Sequence, residues 1–162
     1  MSIGFYVVIV SDRVYSGEAR DTSGELATRL ISDRGYSVCG KTVIPNRERD
    51  IIRVIREIRE CDVLVFIGGT GLSPRDVTVD TLESLSWRKI PGFGEYFRLK
   101  SFEGVGARGL LSRAEAYILG DGRVAVALPG SPGAVELGLG ILLNMIEHLV
   151  QEVRRFEEPH HL

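Results

Sequence analysis

The sequence predicts an α/β fold: a single three-layer α/β/α domain with a mostly parallel sheet and a small strand pair near the C-terminus. Two observations lead to this class. Continuous apolar segments such as "GFYVVIV" (4–10) and "VLVFI" (63–67) are typical of strands buried on both faces. These segments alternate with segments whose apolar residues recur at helical spacing, which is typical of parallel strands joined by crossover helices.

The first strand (4–10) is followed by a polar loop (11–24) and a helix that begins near Thr22. Thr22 and Glu25 have the spacing of a capping box, and Gly35 is a suitable helix end. The sequence therefore predicts a first β–α unit over residues 4–35.

Two further β–α units follow. "YSVCGKTVI" (36–44) is the second strand, and "PNRERD" (45–50) leads into a helix. Four isoleucines share one face of that helix: Ile51, Ile52, Ile55 and Ile58. "VLVFI" (63–67) is the third strand, and a short helix covers residues 77–85 after a glycine-rich turn.

The second half is less regular. Residues 88–112 mix glycines with aromatic residues and contain two helical pieces. "AEAYILGDGRVAVALPG" (114–130) predicts two strands joined by a "GDG" turn. A long apolar helix then runs from about Gly133 to about Phe156.

Length and charge limit the possible functions. The 162 residues suit one domain, residues 1–156, with a short tail at 157–162. A net charge of −2 gives no electrostatic basis for binding nucleic acid or a membrane surface. No apolar segment approaches the roughly 18 residues needed to cross a bilayer, and "MSIGFYVVIVSDR" suits a first strand better than a signal peptide. We therefore expect a cytoplasmic protein.

The two cysteines, Cys39 and Cys61, form no CxxC motif and lie near no histidine cluster. We therefore expect no zinc site and interpret both cysteines as small buried residues.

Four loops rich in small or polar residues follow the ends of predicted strands. They cover residues 11–24, 45–48, 68–76 and 128–133. Ligands of open α/β sheets bind beyond the carboxyl ends of the strands. A parallel sheet places the first three loops along one rim, and the fourth joins them if its strand runs in the same direction.

The turn "GGTG" (68–71) combines glycine N–H groups with the start of a helix, and both can bind an anion such as phosphate. The turn is not a Walker A motif, since no GK[ST] follows, and Pro74 stands where GxGxxG counted from Gly69 requires glycine. A tight strand-to-helix turn without a ligand is the alternative.

Arg75 and Asp76 add charge beside this turn. A guanidinium suits phosphate oxygens, and a carboxylate beside a phosphate site usually needs a cation such as Mg²⁺. Alternatively, Arg75 and Asp76 pair with each other, or Asp76 caps the next helix.

Two further segments carry candidate ligands. Pro129, Gly130 and Ser131 form a rigid turn at a helix N-terminus, which favours anions, although a plain turn is the alternative. Ser112 and Arg113 place a hydroxyl and a guanidinium side by side.

Five motifs together resemble the MoaB/Mog family of molybdenum-cofactor biosynthesis proteins, which includes similar domains of gephyrin and of the plant molybdenum-insertion protein. The motifs are "SDRVYSG…DTSG", "GGTGLSPRDVT", "PGFGE", "LSRAEA" and "LPGSPGAV", in that order. The resemblance runs from about Phe5 to about Val150. The stretch "LKSFEGVGARGLLSR" is more similar to the MoaB branch.

The resemblance implies a molybdopterin adenylyltransferase. Active members transfer AMP from Mg-ATP to the terminal phosphate of molybdopterin, release pyrophosphate, and pass the product on to a molybdenum-insertion protein. It also implies a homo-oligomer, trimer or hexamer. The glycine-rich last helix and an aromatic insert agree with this, because they carry more apolar surface than a small domain readily hides. The insert contains Phe93, Tyr96, Phe97 and Phe102.

The resemblance also implies roles for individual residues. Asp76 is catalytic and holds Mg²⁺. The nucleotide-binding residues are Gly68, Gly69, Thr70, Gly71, Arg75, Pro129, Gly130 and Ser131. The molybdopterin-binding residues are Ser11, Asp12, Ser16, Gly17, Asp21, Ser112 and Arg113.

One position departs from the family pattern. Active members often carry Pro-Asp-Asp or Pro-Asp-Glu after the second strand, and the first of these acids is catalytic. This chain has Asn46 at the position of the first acid and Arg47 at the position of the second. A second hypothesis is therefore a molybdopterin-binding protein without efficient chemistry. A third, a hydrolase of nucleotide-linked pyrophosphates, ranks last because the chain adds no second hydrolase domain.

Overall fold

A computed structural model describes residues 2–155, which form six strands and six α-helices. The strands are β1 Gly4–Val10, β2 Ser37–Ile44, β3 Val63–Ile67, β4 Ser86–Ile90, β5 Glu115–Leu119 and β6 Val124–Leu128. The α-helices are α1 Asp12–Tyr15, α2 Thr22–Asp33, α3 Glu48–Glu57, α4 Thr78–Leu85, α5 Pro91–Val105 and α6 Pro132–Arg154. A 3-10 helix, Gly106–Leu111, follows α5.

The strands form one sheet in the order β2-β1-β3-β6-β5-β4. The four strands β2, β1, β3 and β6 are mutually parallel, whereas β5 runs antiparallel to both of its neighbours. This confirms the predicted mostly parallel sheet with a strand pair near the C-terminus. Because β6 is parallel to β3, the loop after β6 lies on the same rim as the other three candidate loops.

Alternate residues of β1 enter two separate cores. Phe5, Val7 and Ile9 pack with α2, α5 and α6, while Val8 and Val10 face α3 and α4. Period-two alternation of a strand thus separates the two helix layers. This arrangement confirms the predicted three-layer α/β/α architecture.

Among the helices of residues 2–155, α6 is the one whose length and apolar composition would allow it to cross a membrane. The sequence-based statement that no segment approaches such a length is therefore corrected. Val135, Leu139, Leu142, Ile146 and Val150 recur at helical spacing and are buried in the core. The apolar character of α6 is thus explained by packing against the sheet and α2.

Three local features differ from the sequence-based predictions. Strand β4 was not expected, because "SWRKI" is an edge strand whose three central residues are exposed. Helix α1 lies inside the predicted polar loop. The cap of α2 is Asp21, whose carboxylate accepts a hydrogen bond from the Gly24 N–H at 2.8 Å, so Thr22 is not the capping residue.

The cysteines are joined by a disulfide, so their interpretation as two small buried residues is wrong. Cys39 is an exposed residue of β2, and Cys61 is buried just before β3. The bridge passes over the start of β1 at Gly4, where a Cβ atom would lie 2.8 Å from the Cys39 Sγ. A glycine at this point of β1 leaves room for the bridge.

Candidate functional site

The four candidate loops meet at the carboxyl rim of the sheet. The Ser23 hydroxyl donates to the Gly130 carbonyl at 2.6 Å, which joins the first loop to the fourth. The Gly68 N–H donates to the Leu128 carbonyl at 2.8 Å, which joins the third to the fourth. The Asn46 N–H donates to Asp12 Oδ1 at 2.9 Å, which joins the second to the first. The predicted convergence of these loops is therefore present.

The glycine turn has structural requirements of its own. Gly68 and Gly69 have φ angles of +106° and +67°, which L side chains rarely adopt. A Cβ at Gly68 would overlap the Val10 carbonyl oxygen, and one at Gly69 would overlap the Thr78 hydroxyl. Gly71 differs, because its φ is ordinary and a Cβ there would meet the Asp76 carboxylate at 2.5 Å. Thr70, between them, is buried.

Asp76 is half-buried at the end of this turn. Its Oδ1 accepts a hydrogen bond from the Asn46 side-chain amide at 3.4 Å. Val77, not Asp76, occupies the N-cap of α4, and this cap lacks a side-chain hydrogen bond. The alternative that Asp76 caps the helix is therefore wrong.

Arg75 is exposed, and its backbone N–H donates to Ser73 Oγ at 3.3 Å. Within the described chain, its guanidinium makes no ion pair with Asp76 or any other residue. The alternative that Arg75 and Asp76 neutralise each other is therefore not what the structure contains. An exposed guanidinium beside a carboxylate leaves both groups available to a ligand.

Asn46 contacts the third loop with both ends of its side-chain amide. The amide nitrogen donates to Asp76, while Oδ1 accepts from the Val77 N–H at 3.4 Å. An aspartate could make only the second of these bonds. Arg47 is exposed at the N-cap of α3, and as an arginine it supplies no carboxylate in place of the second acid.

Asp50 is a nearby carboxylate, but it is buried within α3. Its Oδ1 lies 2.8 Å from Arg53, and Arg49 approaches Oδ2 at 3.7 Å. Asp50 therefore does not replace the acid that position 46 lacks.

The first loop divides into structural and available residues. Ser11 caps α1 by accepting from the Val14 N–H at 3.2 Å. Asp21 caps α2 and pairs with Lys41 at 2.8 Å. Ser16 and Gly17 are exposed, and Gly17 has a φ of +86° in open surroundings. Ser11 and Asp21 thus have local partners that account for their presence.

The "SR" and "PGSP" motifs also hold local structure. Ser131 caps α6 by accepting from the Ala134 N–H at 3.3 Å. Ser112 Oγ accepts from the Ala114 N–H at 3.3 Å. Arg113 does not extend into open space: it bonds the Gly71 carbonyl and the Asp80 carboxylate.

Two cavities are lined by residues of the candidate loops. The asparagine cavity, of about 560 Å³, lies between the first three loops. Its lining includes Asp12, Ser16, Asn46, Arg47 and Arg75. The α5–α6 cavity, of about 510 Å³, lies between α5, the 3-10 helix and the start of α6. Its lining includes Phe97, Lys100, Arg108, Ser112, Pro129 and Ser131.

Each cavity is lined by residues of both sets that the family resemblance implies, the nucleotide-binding residues and the molybdopterin-binding residues. Ser112, assigned to the pterin, lines the α5–α6 cavity together with Pro129 and Ser131, assigned to the nucleotide. Arg75, assigned to the nucleotide, lines the asparagine cavity with Asp12 and Ser16, assigned to the pterin. A smaller cavity of about 190 Å³ includes Ser11, Asp21, Gly68 and Gly130.

Lys100 and Arg108 were missed by sequence reasoning. They line the α5–α6 cavity from α5 and the 3-10 helix, and the Lys100 ammonium pairs with Glu103 at 3.1 Å. The sequence around them, "RLKSFEGVGARG", carries no spacing that distinguishes these two cations from solvent-facing ones.

The segment before β5 is anchored by a buried carboxylate. Burial raises the pKa of Glu115, and the nearby cations Lys89 and Arg98 oppose that rise. Arg98 also donates to the Ala114 carbonyl at 3.0 Å and the Ser112 carbonyl at 3.4 Å. Arg98 therefore links the buried Glu115 to the strand entrance that carries Ser112 and Arg113.

Within residues 2–155, no three His, Cys, Asp or Glu side chains are grouped so as to hold a metal ion. The oxygen donors of Asp76 still fit Mg²⁺, which commonly takes one or two protein carboxylates and completes its shell with substrate phosphates and water.

Comparison with known proteins identifies the family. A family model described as a probable molybdopterin binding domain matches residues 6–148. The chain is 38% identical over 154 residues to a molybdopterin adenylyltransferase of Pyrococcus furiosus, covering 93% of this chain and 90% of that one. It is 35% identical over 161 residues to a probable molybdopterin adenylyltransferase of Methanocaldococcus jannaschii, covering 94% and 95%.

A solved structure gives the same result. The crystal structure of the tungsten cofactor synthesizing protein MoaB from Pyrococcus furiosus superposes with a TM-score of 0.88 at 34% identity, covering 94% of this chain and 98% of that one. These similarities confirm the resemblance inferred from the five motifs. The chain belongs to the MoaB/Mog family of molybdopterin-binding domains.

Proposed function

We propose that this protein is a molybdopterin adenylyltransferase of molybdenum-cofactor biosynthesis. It takes Mg-ATP and molybdopterin, transfers AMP to the terminal phosphate of the pterin and releases pyrophosphate. One observation carries the proposal beyond the names of the relatives. The Asp76 carboxylate accepts a hydrogen bond from Asn46 where four loops converge: Asn46 lines the asparagine cavity, the fourth loop lines the α5–α6 cavity, and each cavity has room for a substrate.

The reaction suits this arrangement. An oxygen of the pterin phosphate forms a bond to the α-phosphorus of ATP, and the bond from that phosphorus to the bridging oxygen breaks. The attacking phosphate is already anionic, so the site must neutralise charge more than remove a proton. Arg75 would face the phosphates with a free guanidinium, and N–H groups of the glycine turn would donate to their oxygens.

Asp76 would hold Mg²⁺ together with the substrate phosphates. The bound ion supplies charge neutralisation during departure of pyrophosphate. This chain supplies the carboxylate, and Asn46 orients it through the hydrogen bond at 3.4 Å.

A weakly catalytic molybdopterin-binding protein is the second candidate. It is favoured by the neutral amide at position 46 and by the ion-paired, buried state of Asp50, which together leave Asp76 as the acid of the turn. This candidate predicts tight pterin binding with little pyrophosphate release.

Incubation with molybdopterin, ATP and Mg²⁺ separates the two candidates, with pyrophosphate and adenylylated pterin as readouts. Asp76→Asn should reduce the rate by about two to three powers of ten, because it removes the metal-binding charge. The stability of Asp76→Asn should change little, since among residues 2–155 that carboxylate makes a single, long side-chain hydrogen bond. Glu57→Gln, at the exposed end of α3, is the matched control and should retain the wild-type rate. Pterin binding without pyrophosphate release in the wild type would favour the second candidate.

We also propose that the protein is a cytoplasmic homo-oligomer, trimer or hexamer, that passes its product to a molybdenum-insertion protein. The oligomer is supported by the exposed outer face of α5 and the 3-10 helix. Tyr96, Leu99, Phe102, Val105, Leu110 and Leu111 are between 46% and 60% exposed there. Phe93 and Phe97, also expected in this apolar surface, instead belong to the core. Light scattering at micromolar concentration tests the proposal, and a monomer would contradict it.

A further inference from the structure

Arg113 joins three parts of the candidate site. Its Nε and one terminal nitrogen donate to the Gly71 carbonyl at 3.0 and 2.7 Å. The same terminal nitrogen lies 3.3 Å from the Asp76 carbonyl oxygen. The other terminal nitrogen donates to both carboxylate oxygens of Asp80, at 3.0 and 3.1 Å. One guanidinium thus contacts both ends of segment 71–76 and the first turn of α4.

We propose that Arg113 is a positioning residue, which fixes the glycine turn and Asp76 for catalysis instead of binding a substrate, and that Asp80 sets its orientation. The inference rests on the proposed adenylyltransferase function, and it reassigns a residue that the family resemblance places on the pterin.

The hydrogen bonds of the Arg113 guanidinium support this role. A guanidinium has five N–H groups in a fixed fork. Here five donor–acceptor pairs involve Gly71, Asp76 and Asp80, and each lies between 2.7 and 3.3 Å. A substrate phosphate would have to displace one of these partners, whereas the Arg75 guanidinium has no ion-pair partner among residues 2–155.

The turn needs such a tether. Residues 71–75 are all exposed, and their local bonds are short-range: the Asp76 N–H donates to the Ser73 carbonyl and the Arg75 N–H to Ser73 Oγ. The Asp76 carboxylate lies over Gly71, 2.5 Å from where a Cβ would be. Movement of the Gly71 peptide would therefore move the surface beneath the catalytic carboxylate.

Arg113 is itself anchored to the sheet. The carbonyls on both sides of it, of Ser112 and Ala114, accept from Arg98, and Arg98 lies 3.6 Å from the buried Glu115. Since Glu115 opens β5, these contacts connect the glycine turn to a strand of the sheet.

A double-mutant cycle of Arg113→Lys and Asp80→Asn tests the proposal. Lysine keeps the charge but has no planar fork, so it cannot hold all three partners. We expect Arg113→Lys to lower kcat about tenfold because the acid is misplaced. Asp80→Asn should lower kcat in the same direction by a smaller factor. The double variant should be no worse than Arg113→Lys, because both changes disturb one unit.

Two further readouts separate positioning from substrate binding. The molybdopterin Kd, measured without ATP, should stay within about twofold of wild type in all three variants, since a loss of tenfold or more is what removal of a charged ligand causes. Amide hydrogen exchange of residues 68–77 in the ligand-free protein should become faster in Arg113→Lys and in Asp80→Asn. Arg155→Lys and Glu152→Gln provide the control, because this exposed ion pair at 3.3 Å lies at the C-terminal end of α6, away from the candidate loops.

The proposal is wrong if exchange in 68–77 does not change, or if Arg113→Lys weakens molybdopterin binding tenfold while Asp80→Asn leaves kcat intact. Asp80→Asn is a conservative change at an exposed residue, so it remains informative even where Arg113→Lys folds poorly. If the wild type forms no adenylylated pterin, the proposed function fails. The exchange measurement then still decides whether Arg113 holds the turn.

Discussion

The side-chain amide of Asn46 donates a hydrogen bond to the carboxylate of Asp76, 30 residues away in the chain, with 3.4 Å between the two atoms. The family resemblance implies an aspartate at position 46, as active members often carry. Two carboxylates at this distance would repel each other in the absence of a cation, whereas an amide and a carboxylate do not. The amide therefore gives a site that is already ordered without metal, but with less negative charge for Mg²⁺.

Asn46→Asp should make the enzyme faster and should make it bind Mg²⁺ more tightly. A second carboxylate adds negative charge beside Asp76, so the Mg²⁺ concentration for half-maximal activity should fall and kcat at saturating Mg²⁺ should rise severalfold. ATP affinity should hardly change. Initial rates across a Mg²⁺ titration measure the first two quantities, and calorimetry measures the affinity for ATP.

Asn46→Ala is the matched comparison, because it removes both hydrogen bonds of the amide without adding charge. It should be slower than wild type at every Mg²⁺ concentration. A fast wild type that Asn46→Asp slows would show that the family role of the acid does not carry over to this position.

The glycine turn should respond differently at its two ends. Gly69→Ala should destabilise the fold by about 1–3 kcal/mol, because φ is +67° and the new Cβ would overlap the Thr78 hydroxyl and lie 2.8 Å from Asn46 Oδ1. Gly71→Ala should fold normally and lose activity, since its Cβ would push the Asp76 carboxylate away. Urea unfolding and turnover are measured for both variants, and retained stability with lost turnover in Gly71→Ala is the result that identifies a functional requirement.

Gly140→Ala provides a control in α6, where a Cβ would meet no atom of the described chain within 4 Å. It should stabilise the protein by about 0.5–1 kcal/mol through helix propensity. Loss of stability in Gly71→Ala equal to that in Gly69→Ala would mean that the whole turn is a structural feature, as the tight-turn alternative holds.

Glu115 should make stability decrease as pH rises above the ordinary range of a glutamate. Burial raises the pKa of Glu115 in the folded state, so the folded protein retains a proton that the unfolded chain has lost. Stability from this group is therefore complete below the unfolded pKa and is lost as pH rises through the folded pKa. Glu115→Gln cannot titrate and should lack this component.

The measurement is the difference in free energy of unfolding between wild type and Glu115→Gln from pH 4 to pH 8. Taking the difference cancels the other carboxyl groups, whose contributions the two proteins share. A difference that stays constant over this range would show that Lys89 and Arg98 fully offset the burial of the carboxylate.

The sequence predicts the layers and the rim of this protein better than it predicts its contacts. Buried strands such as β3 are visible because burial on both faces demands continuous apolar residues. The edge strand β4 lacks that pattern. Helix α5 carries apolar residues both inside, at Phe93 and Phe97, and outside, at Leu99 and Phe102, so its orientation cannot be read from periodicity.

The candidate loops can likewise be predicted, because glycine and charge follow each strand end. Their pairings cannot, since they join residues far apart in sequence. Arg113 contacts Gly71 across 42 positions, and the sequence contains no spacing that distinguishes this bond from a bond to a substrate. Only the folded chain shows that Arg113 of the "SR" motif hydrogen-bonds Gly71 of the "GGTG" motif.

The Cys39–Cys61 disulfide should stabilise the fold without affecting catalysis. It closes a loop with a sequence separation of 22, so reduction should lower the free energy of unfolding by about 3 kcal/mol. The bridge passes over the start of β1, at the end of the sheet opposite the candidate site, so turnover of the folded protein should stay unchanged. Urea unfolding with and without reductant measures the effect, and Cys39→Ser is the control, because it should be as stable as the reduced wild type and insensitive to reductant. Equal stability of oxidised and reduced wild type would show that residues 39 and 61 are held together by the sheet itself, with Gly4 merely leaving space for their side chains.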